Sequence, residues 1–437
     1  MFQTVFRKGL LLCAITSVIV AGSFVGTSIP SAQAQNNEKV KNVIFMIPDG
    51  FSAAYATNYR WYKGKESLLD PMLVGMQRTY SANSEVTDSA AAATAMATGV
   101  KTNNGMISIS PEGKKLKTIL ETAKENGKAT GLVVTAAITH ATPAAFASHV
   151  KARTDQAHIA PQLLKHEVDV MLGGGKKYFP DSLLQEAKEK GYEYVNTKEQ
   201  LANVKQVNKL LGLFAEEGLA PELERKLTKQ PSLAEMSEKA IDVLKKDRDG
   251  FFLMIEGSQI DWAGHVHDAP WAMKDTEAFE VALQKVLEFA KKDKNTLVVV
   301  AGDHDTGGMS VGGYDTYAAN IELLRSVTAT GKFMVSKLDA NRSNIKEVVK
   351  QYANLDLSDE EKKTIRAARK PEIALNEVIS KRALVGWTSF QHTGTDVPLY
   401  AFGPSANLFL GLHNNTDLPQ LIAKAMNISF SPASPVH

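Results

Sequence analysis

The chain has 437 residues, 44% of them hydrophobic, and carries 50 Lys and Arg against 48 Asp and Glu. With Arg7 and Lys8 of the N-terminal segment set aside the charges balance, which leaves no basic excess with which to hold nucleic acid or a membrane surface. About 400 residues can bury one large core, or a core and a smaller lobe, and with Cys13 as the lone cysteine a disulfide framework, a Cys nucleophile and Cys-rich zinc sites are excluded from the rest of the chain.

In chain order, residues 1–34 come first. Arg7 and Lys8, an apolar run from Leu10 to about Phe24, and a closing Ala32-Gln33-Ala34 have the form of a secretory signal cut after Ala34. A single-pass anchor and a lipoprotein cysteine at Cys13 are the alternatives. Against the first, Thr16, Ser17, Gly22 and Ser23 interrupt the run; against the second, Leu12 is bulky for such processing. No other stretch reaches membrane-spanning length, so residues 35–437 are expected to form a single exported domain.

Short runs rich in Val, Ile, Leu and Phe recur at Val43–Ile47, Gly131–Thr135, Val168–Leu172, Phe251–Ile255, Leu297–Ala301 and Val397–Phe402. They read as buried parallel strands. Leu116–Glu125, Ser182–Lys190, Leu233–Lys246 and Lys274–Lys292 read as amphipathic helices between them. The alternation predicts an α/β fold: a doubly wound, mainly parallel central sheet with helices on both faces. Residues 313–383 break the rhythm with charged helical pieces at Ser343–Tyr352 and Ser358–Arg369, whose Ser343 and Ser358 openings look like helix N-termini. That stretch is expected to be an inserted helical lobe.

In open sheets ligands gather beyond the carboxyl ends of the strands. Asp49 follows the first run, His140 the second, Glu256 the fourth and Asp303-His304 the fifth. Capping accounts for one such residue, but four strand ends at one edge point to a site. Ser89, before Ala90-Ala91-Ala92-Ala93, reads on its own as a helix N-cap. Small side chains also let a phosphate approach the backbone at a helix start, and metal coordination can activate a hydroxyl that has no histidine beside it in sequence. Asp261 and His265 are four apart, so one helical turn puts both on one side. With Asp303-His304-Asp305 and Gln391-His392-Thr393-Gly394 they make a mixed N and O donor set of the kind zinc uses when thiolates are absent. The other histidines, His149, His158, His166, His267, His413 and His437, read as surface or packing residues.

Taken together, Pro48-Asp49-Gly50, Thr87-Asp88-Ser89-Ala90, His140-Ala141-Thr142-Pro143, Glu256-Gly257 with Asp261 and His265, Asp303-His304 and His392-Thr393-Gly394 resemble the alkaline phosphatases, above all bacterial secreted members, from Asn42 to about Leu412. The resemblance implies broad hydrolysis of phosphate monoesters through a phosphoserine at Ser89, in a homodimer. It implies zinc on Asp261, His265 and His392, a second zinc among Asp49, Ser89, Asp303 and His304, and a third site, usually magnesium, with Asp49, Thr142 and Glu256. Arg153, which alone reads as a solvated helix residue, matches the family's phosphate-binding arginine; a guanidinium grips two phosphate oxygens and keeps its charge at alkaline pH. His140 and Trp262 stand where the best-known enteric member has Asp and Lys. They would adjoin the third ion and the phosphate, His140 directly or through water, in a site open to zinc or another divalent ion.

A phosphodiesterase or sulfatase on the same scaffold is the nearest rival, but a sulfatase places Pro and Arg behind its nucleophile where Ser89 has four alanines. A secreted binding protein without turnover would keep the ligands but has no use for Ser89 and Arg153 together.

Overall fold

A computed structural model describes residues 40–433; the signal-peptide reading, Cys13 and His437 lie outside the described residues. In chain order the strands are β1 (Asn42–Pro48), β2 (Leu73–Arg78), β3 (Ala129–Ala137), β4 (Val170–Gly174), β5 (Tyr192–Val195), β6 (Lys209–Leu213), β7 (Phe251–Gly257), β8 (Thr296–Ala301), β9 (Asp305–Thr306), β10 (His392–Thr393), β11 (Val397–Phe402) and β12 (Gly411–Asn414). Ten of them form one sheet in the order β12-β2-β11-β8-β1-β7-β3-β4-β6-β5, and β9 pairs with β10 apart from it.

Side chains alternate across each strand, so both faces of a sheet with continuous apolar runs must be covered. Ile44 and Met46 of β1 enter one core with Leu253 and Ile255 of β7 and Val298 and Val300 of β8. Their neighbours Val43, Phe45, Ile47, Phe252, Met254, Leu297 and Val299 enter the other. The first face is covered by the helices Leu233–Leu244 and Ala269–Asp293, the second by Ser89–Thr98, Ala141–Ala147, Gln156–Lys165 and Leu418–Met426. Each fully buried Ile, Leu or Phe contributes about 1.5–3 kcal/mol. Summed over the central strands, that exceeds the several kcal/mol a buried uncompensated charge costs, so the centre of the sheet can hold acidic residues at its edge.

One strand departs from the expected direction. β11 runs antiparallel to both β8 and β2, whereas Val397–Phe402 is expected to be parallel. β10 ends at Thr393, and only residues 394–396 lie between it and β11. A parallel strand needs a crossover of a dozen or more residues back to the far edge, so the chain re-enters the sheet from the edge it has just visited.

Helix starts follow their caps. The helix expected from Leu116 begins at Ile119, where Thr118 and Glu121 form a reciprocal capping box. Ser358 opens Asp359–Ala367 in the same way with Glu361. Ser343 does not cap: its backbone N–H and hydroxyl both donate to Asp339, and Asn344 precedes Ile345–Ala353 without a side-chain cap. Within 313–383 the helices Gly331–Val335, Ile345–Ala353, Asp359–Ala367 and Pro371–Ala383 send Met334, Val349, Ile365 and Leu375 into the core that holds Ile44. Among the described residues no helix is long and apolar enough to cross a membrane.

Candidate functional site

β8, β1, β7 and β3 are consecutive in the sheet, and their register pairs Ile47 and Val134 with Glu256. The carboxyl ends therefore set Asp303-His304, Asp49, Glu256 and His140-Ala141-Thr142 side by side. Asp49 turns out of β1 through Gly50, whose φ is +74° and where a Cβ would lie 2.7 Å from Thr306 Oγ1 and 2.9 Å from Asp261 Cα. Only glycine permits that approach.

Both oxygens of Asp49, both of Glu256, Thr142 Oγ1 and His140 Nδ1 are buried with no hydrogen-bond partner. Buried polar groups are as a rule paired, so this many unpartnered polar atoms in one place need an explanation. Burial, then the charges of Asp303, Asp261 and Glu256, push the Asp49 carboxyl well above the usual range. Burial likewise lifts Glu256 to about 8, with Asp303 adding to the effect. Such an array of oxygens suits a hard divalent cation.

The histidines are oriented from behind. His265 Nδ1 lies 2.7 Å from the Phe390 carbonyl and His392 Nδ1 2.8 Å from the Thr87 carbonyl. A carbonyl only accepts, so each Nδ1 carries a proton and each Nε2 is turned toward the site, as in ligating imidazoles. These Nε2 atoms are 3.2 Å apart and lie 3.4 and 3.5 Å from Asp261 Oδ1. His304 Nε2 is 3.1 Å from Asp303 Oδ2, 3.6 Å from Asp49 Oδ1 and 3.2 Å from Ser89 Oγ. Donor atoms of Asp49, Asp303 and His304, of Asp261, His304 and His392, and of Asp49, His140 and Glu256 form three groups, each within 4.8 Å.

Ser89 is the first residue of its helix and not its cap. Asp88 is the cap, its Oδ1 accepting the Ala91 N–H at 2.9 Å. Its Oδ2 accepts the Gly105 N–H and Arg153 Nη1, each at 3.0 Å. The residue that relieves Ser89 of capping thus also fixes Arg153, which sits in a turn and not on a helix face. Arg153 Nη2 points at His140 Nε2, 3.2 Å away; burial and this cation hold His140 near 4, neutral at ordinary pH. Trp262 meets the His140 ring edge-on, centroids 6.0 Å apart. All twelve candidate residues, from Asp49 to His392, are thus brought to one edge.

Sequence reasoning misses Asp88 as the cap, although Asp before a run of alanines is a strong capping signal. It also misses Thr306, whose hydroxyl donates to Asp261 and faces His304 Nδ1 at 3.2 Å, and Tyr55, which donates to the Thr306 carbonyl at 2.6 Å. His267 lies elsewhere, stacked on Phe390 at 3.9 Å and on Trp387 at 4.9 Å.

The family model described as alkaline phosphatase matches residues 40–428. The chain is 42% identical to alkaline phosphatase 3 of Bacillus subtilis, over 96% of this chain and 97% of that protein. It resembles the crystal structure of a cold-active alkaline phosphatase from Shewanella sp. with a TM-score of 0.84 and 36% identity, covering 88% of this chain and 99% of that one. It also resembles a His-to-Asp mutant of the TAB5 alkaline phosphatase with magnesium bound in its M3 site, with a TM-score of 0.69 and 27% identity over 90% of this chain and 99% of that one.

Proposed function

The chain belongs to the alkaline phosphatase family and is a phosphoric monoester hydrolase; on that premise we propose that it cleaves a broad range of phosphate monoesters through a phosphoserine at Ser89, with two zinc ions and one magnesium ion per subunit. Asp261, His265 and His392 would hold one zinc, and Asp49, Asp303 and His304 the other beside Ser89. Asp49, Thr142 and Glu256 would hold magnesium, with His140 and Trp262 alongside. The observation that carries the reading is the set of unpartnered buried oxygens next to a serine that its own helix does not need as a cap. Bound there, divalent cations supply the charge that makes the Ser89 hydroxyl a nucleophile and that offsets the charge of the phosphate and the departing alkoxide.

The chain's own residues supply the positioning. Ser89 Oγ gives up its proton to solvent and forms an O–P bond as the ester O–P bond breaks, and the alcohol leaves with a proton from solvent. Water then attacks the phosphoserine from the opposite side, freeing phosphate and returning a proton to Ser89, so configuration at phosphorus is retained. Arg153, aimed by Asp88, holds two non-reacting oxygens, and the N–H groups opening Ser89–Thr98 face the anion. Because these contacts are to phosphate and not to the alcohol, selection among leaving groups is weak. The His-to-Asp mutant of the TAB5 enzyme with magnesium bound in its M3 site supports a third site, here beside His140, which would also accept zinc or another divalent ion. The residues 1–34 pattern supports export after Ala34, and family likeness supports a homodimer.

An aryl phosphate assayed with and without chelator tests the reading, and absence of chelator-sensitive phosphate release would sink it. Ser89→Ala should lose the phosphoenzyme and at least about 10³-fold in turnover while still binding zinc. Full activity in that variant would remove Ser89 from the mechanism.

A further inference from the structure

A fourth group of donors shares no residue with the three at the sheet edge. Glu121, on the helix Ile119–Glu125, His149, just beyond Ala141–Ala147, and His166, the C-cap of Gln156–Lys165, bring one ligand atom each within 4.8 Å of the others. Their side chains are 5%, 0% and 13% exposed. Neither the spacing nor the burial resembles a solvated ion pair.

His149 Nδ1 lies 2.8 Å from the Ser108 carbonyl. It must carry the proton, so Nε2 is left to face inward, the same orientation from behind that His265 and His392 receive from Phe390 and Thr87. His149 Nε2 is 2.9 Å and His166 Nδ1 3.2 Å from the single oxygen Glu121 Oε1. The other carboxylate oxygen is already committed to the Thr118 N–H at 2.8 Å, so the carboxylate cannot turn away. The two imidazole rings meet at 67°, centroids 5.7 Å apart, which lets two nitrogens converge without stacking.

The spacing leaves room for a tetrahedral ion among the three atoms, which all lie within 4.8 Å of one another. Ligands about 2.0–2.1 Å from a tetrahedral zinc lie about 3.3 Å from one another. The pairs here are 2.9 and 3.2 Å, beside 3.2, 3.4 and 3.5 Å in the Asp261, His265 and His392 set.

We propose that Glu121 Oε1, His149 Nε2 and His166 Nδ1 form a further divalent-cation site, separate from the sheet edge, that takes zinc or a similar borderline ion such as cobalt(II), with water as the fourth ligand. Binding exchanges the proton between His149 and Glu121 for the ion and needs no other reactant. The site ties three helical elements to the strap that leads from His149 to Arg153, whose backbone is pinned by the Val150 pairing with Ile107 and by Arg153 N–H to the Gly105 carbonyl at 2.8 Å. Its role is therefore to brace the strap that carries Arg153, and it stands on these three residues alone, whatever ions the sheet edge holds.

The test uses the purified full enzyme equilibrated with zinc chloride. Anomalous diffraction on the two sides of the zinc edge should show a peak enclosed by Glu121, His149 and His166. His166→Ala should lose that peak and one zinc per chain while keeping the sheet-edge peaks. His166→Asn serves where the Ala variant is unstable. Zinc-saturated wild-type crystals without density among the three residues, or equal zinc content in wild type and variant, would overturn the proposal. The sheet-edge peaks report separately on the catalytic reading.

Discussion

Two buried acidic regions of this molecule look alike in burial and opposite in bonding. Glu280, on Ala269–Asp293, is 6% exposed, and its Oε1 accepts from Ser67 Oγ at 2.8 Å and Leu68 N–H at 2.7 Å. Its Oε2 accepts from Tyr59 at 2.8 Å and Lys63 at 2.5 Å. Burial alone would raise its pKa, but these donors hold it below the usual value. Asp49 and Glu256, 0% exposed, have no partner within hydrogen-bond distance, and burial pushes their carboxyls up instead, Glu256 being only partly held back by Asp49, Ser258 and Thr142. A buried carboxylate is therefore not by itself the mark of a site. At the sheet edge it is unmet acceptor capacity that sets Asp49 and Glu256 apart from Glu280, because an added cation relieves it.

Arg153 sharpens the comparison, since it is partnered by Asp88 and His140 and on that ground alone would pass as structural. Its fork can still offer N–H donors to an oxyanion, and loss of one such donor typically costs about 10²–10³-fold. Arg153→Ala should lower kcat/KM for an aryl phosphate by that amount and weaken inhibition by inorganic phosphate in step. A change of under about threefold in both would return Arg153 to a purely structural role. The two acidic regions should then dissociate. Glu280→Gln leaves Lys63 without its counterion and should cost about 1–3 kcal/mol of stability, read by urea unfolding, with turnover per folded molecule unchanged. Glu256→Gln removes an ionisable group with no partner within hydrogen-bond distance, so the chelated protein should unfold no more easily than wild type, while the response of turnover to added magnesium disappears. The reverse pattern would break the distinction.

Legibility in the sequence follows the range of the interaction. The four strand ends bearing Asp49, His140, Glu256 and Asp303-His304 are readable because a buried run followed by a polar residue is a local pattern. Direction is not local, since an apolar run reads the same both ways, and the reversal of β11 depends on where β10 leaves the chain. β2 and β12 pass unnoticed because they are short and mostly exposed or half-buried, without the continuous apolar run that marks β1. Asp88 and Ser89 are both good caps, and the choice between them depends on Gly105 and Arg153, the latter 65 residues away. Arg153 itself, in a turn, carries no signal apart from family resemblance. Glu121 and His149, separated by 28 residues, form no motif, so His149 and His166 read as packing residues until the helices bring them together.

Between the fully partnered Glu280 and the unpartnered edge lies an intermediate case. Glu224, 9% exposed, accepts the Thr330 N–H at 2.7 Å, and Asp268 accepts the adjacent Gly331 N–H at 2.9 Å. Burial, only partly offset by the Thr330 N–H bond, pushes Glu224 from about 4.5 to about 7, and the nearby Asp268 charge adds to the rise. A carboxyl raised on folding contributes stability that is fully present below about 4.5 and is lost as pH rises through about 7. At the alkaline pH where this family works, that contribution has gone. Glu224→Gln keeps an oxygen for the Thr330 N–H and cannot ionise, so its melting temperature should match wild type near pH 5 and exceed it by a few degrees near pH 9. If the gap does not widen across that interval, a single backbone donor suffices for a buried carboxylate, and the shortage of partners at the sheet edge would have to be several donors deep before it called for a cation.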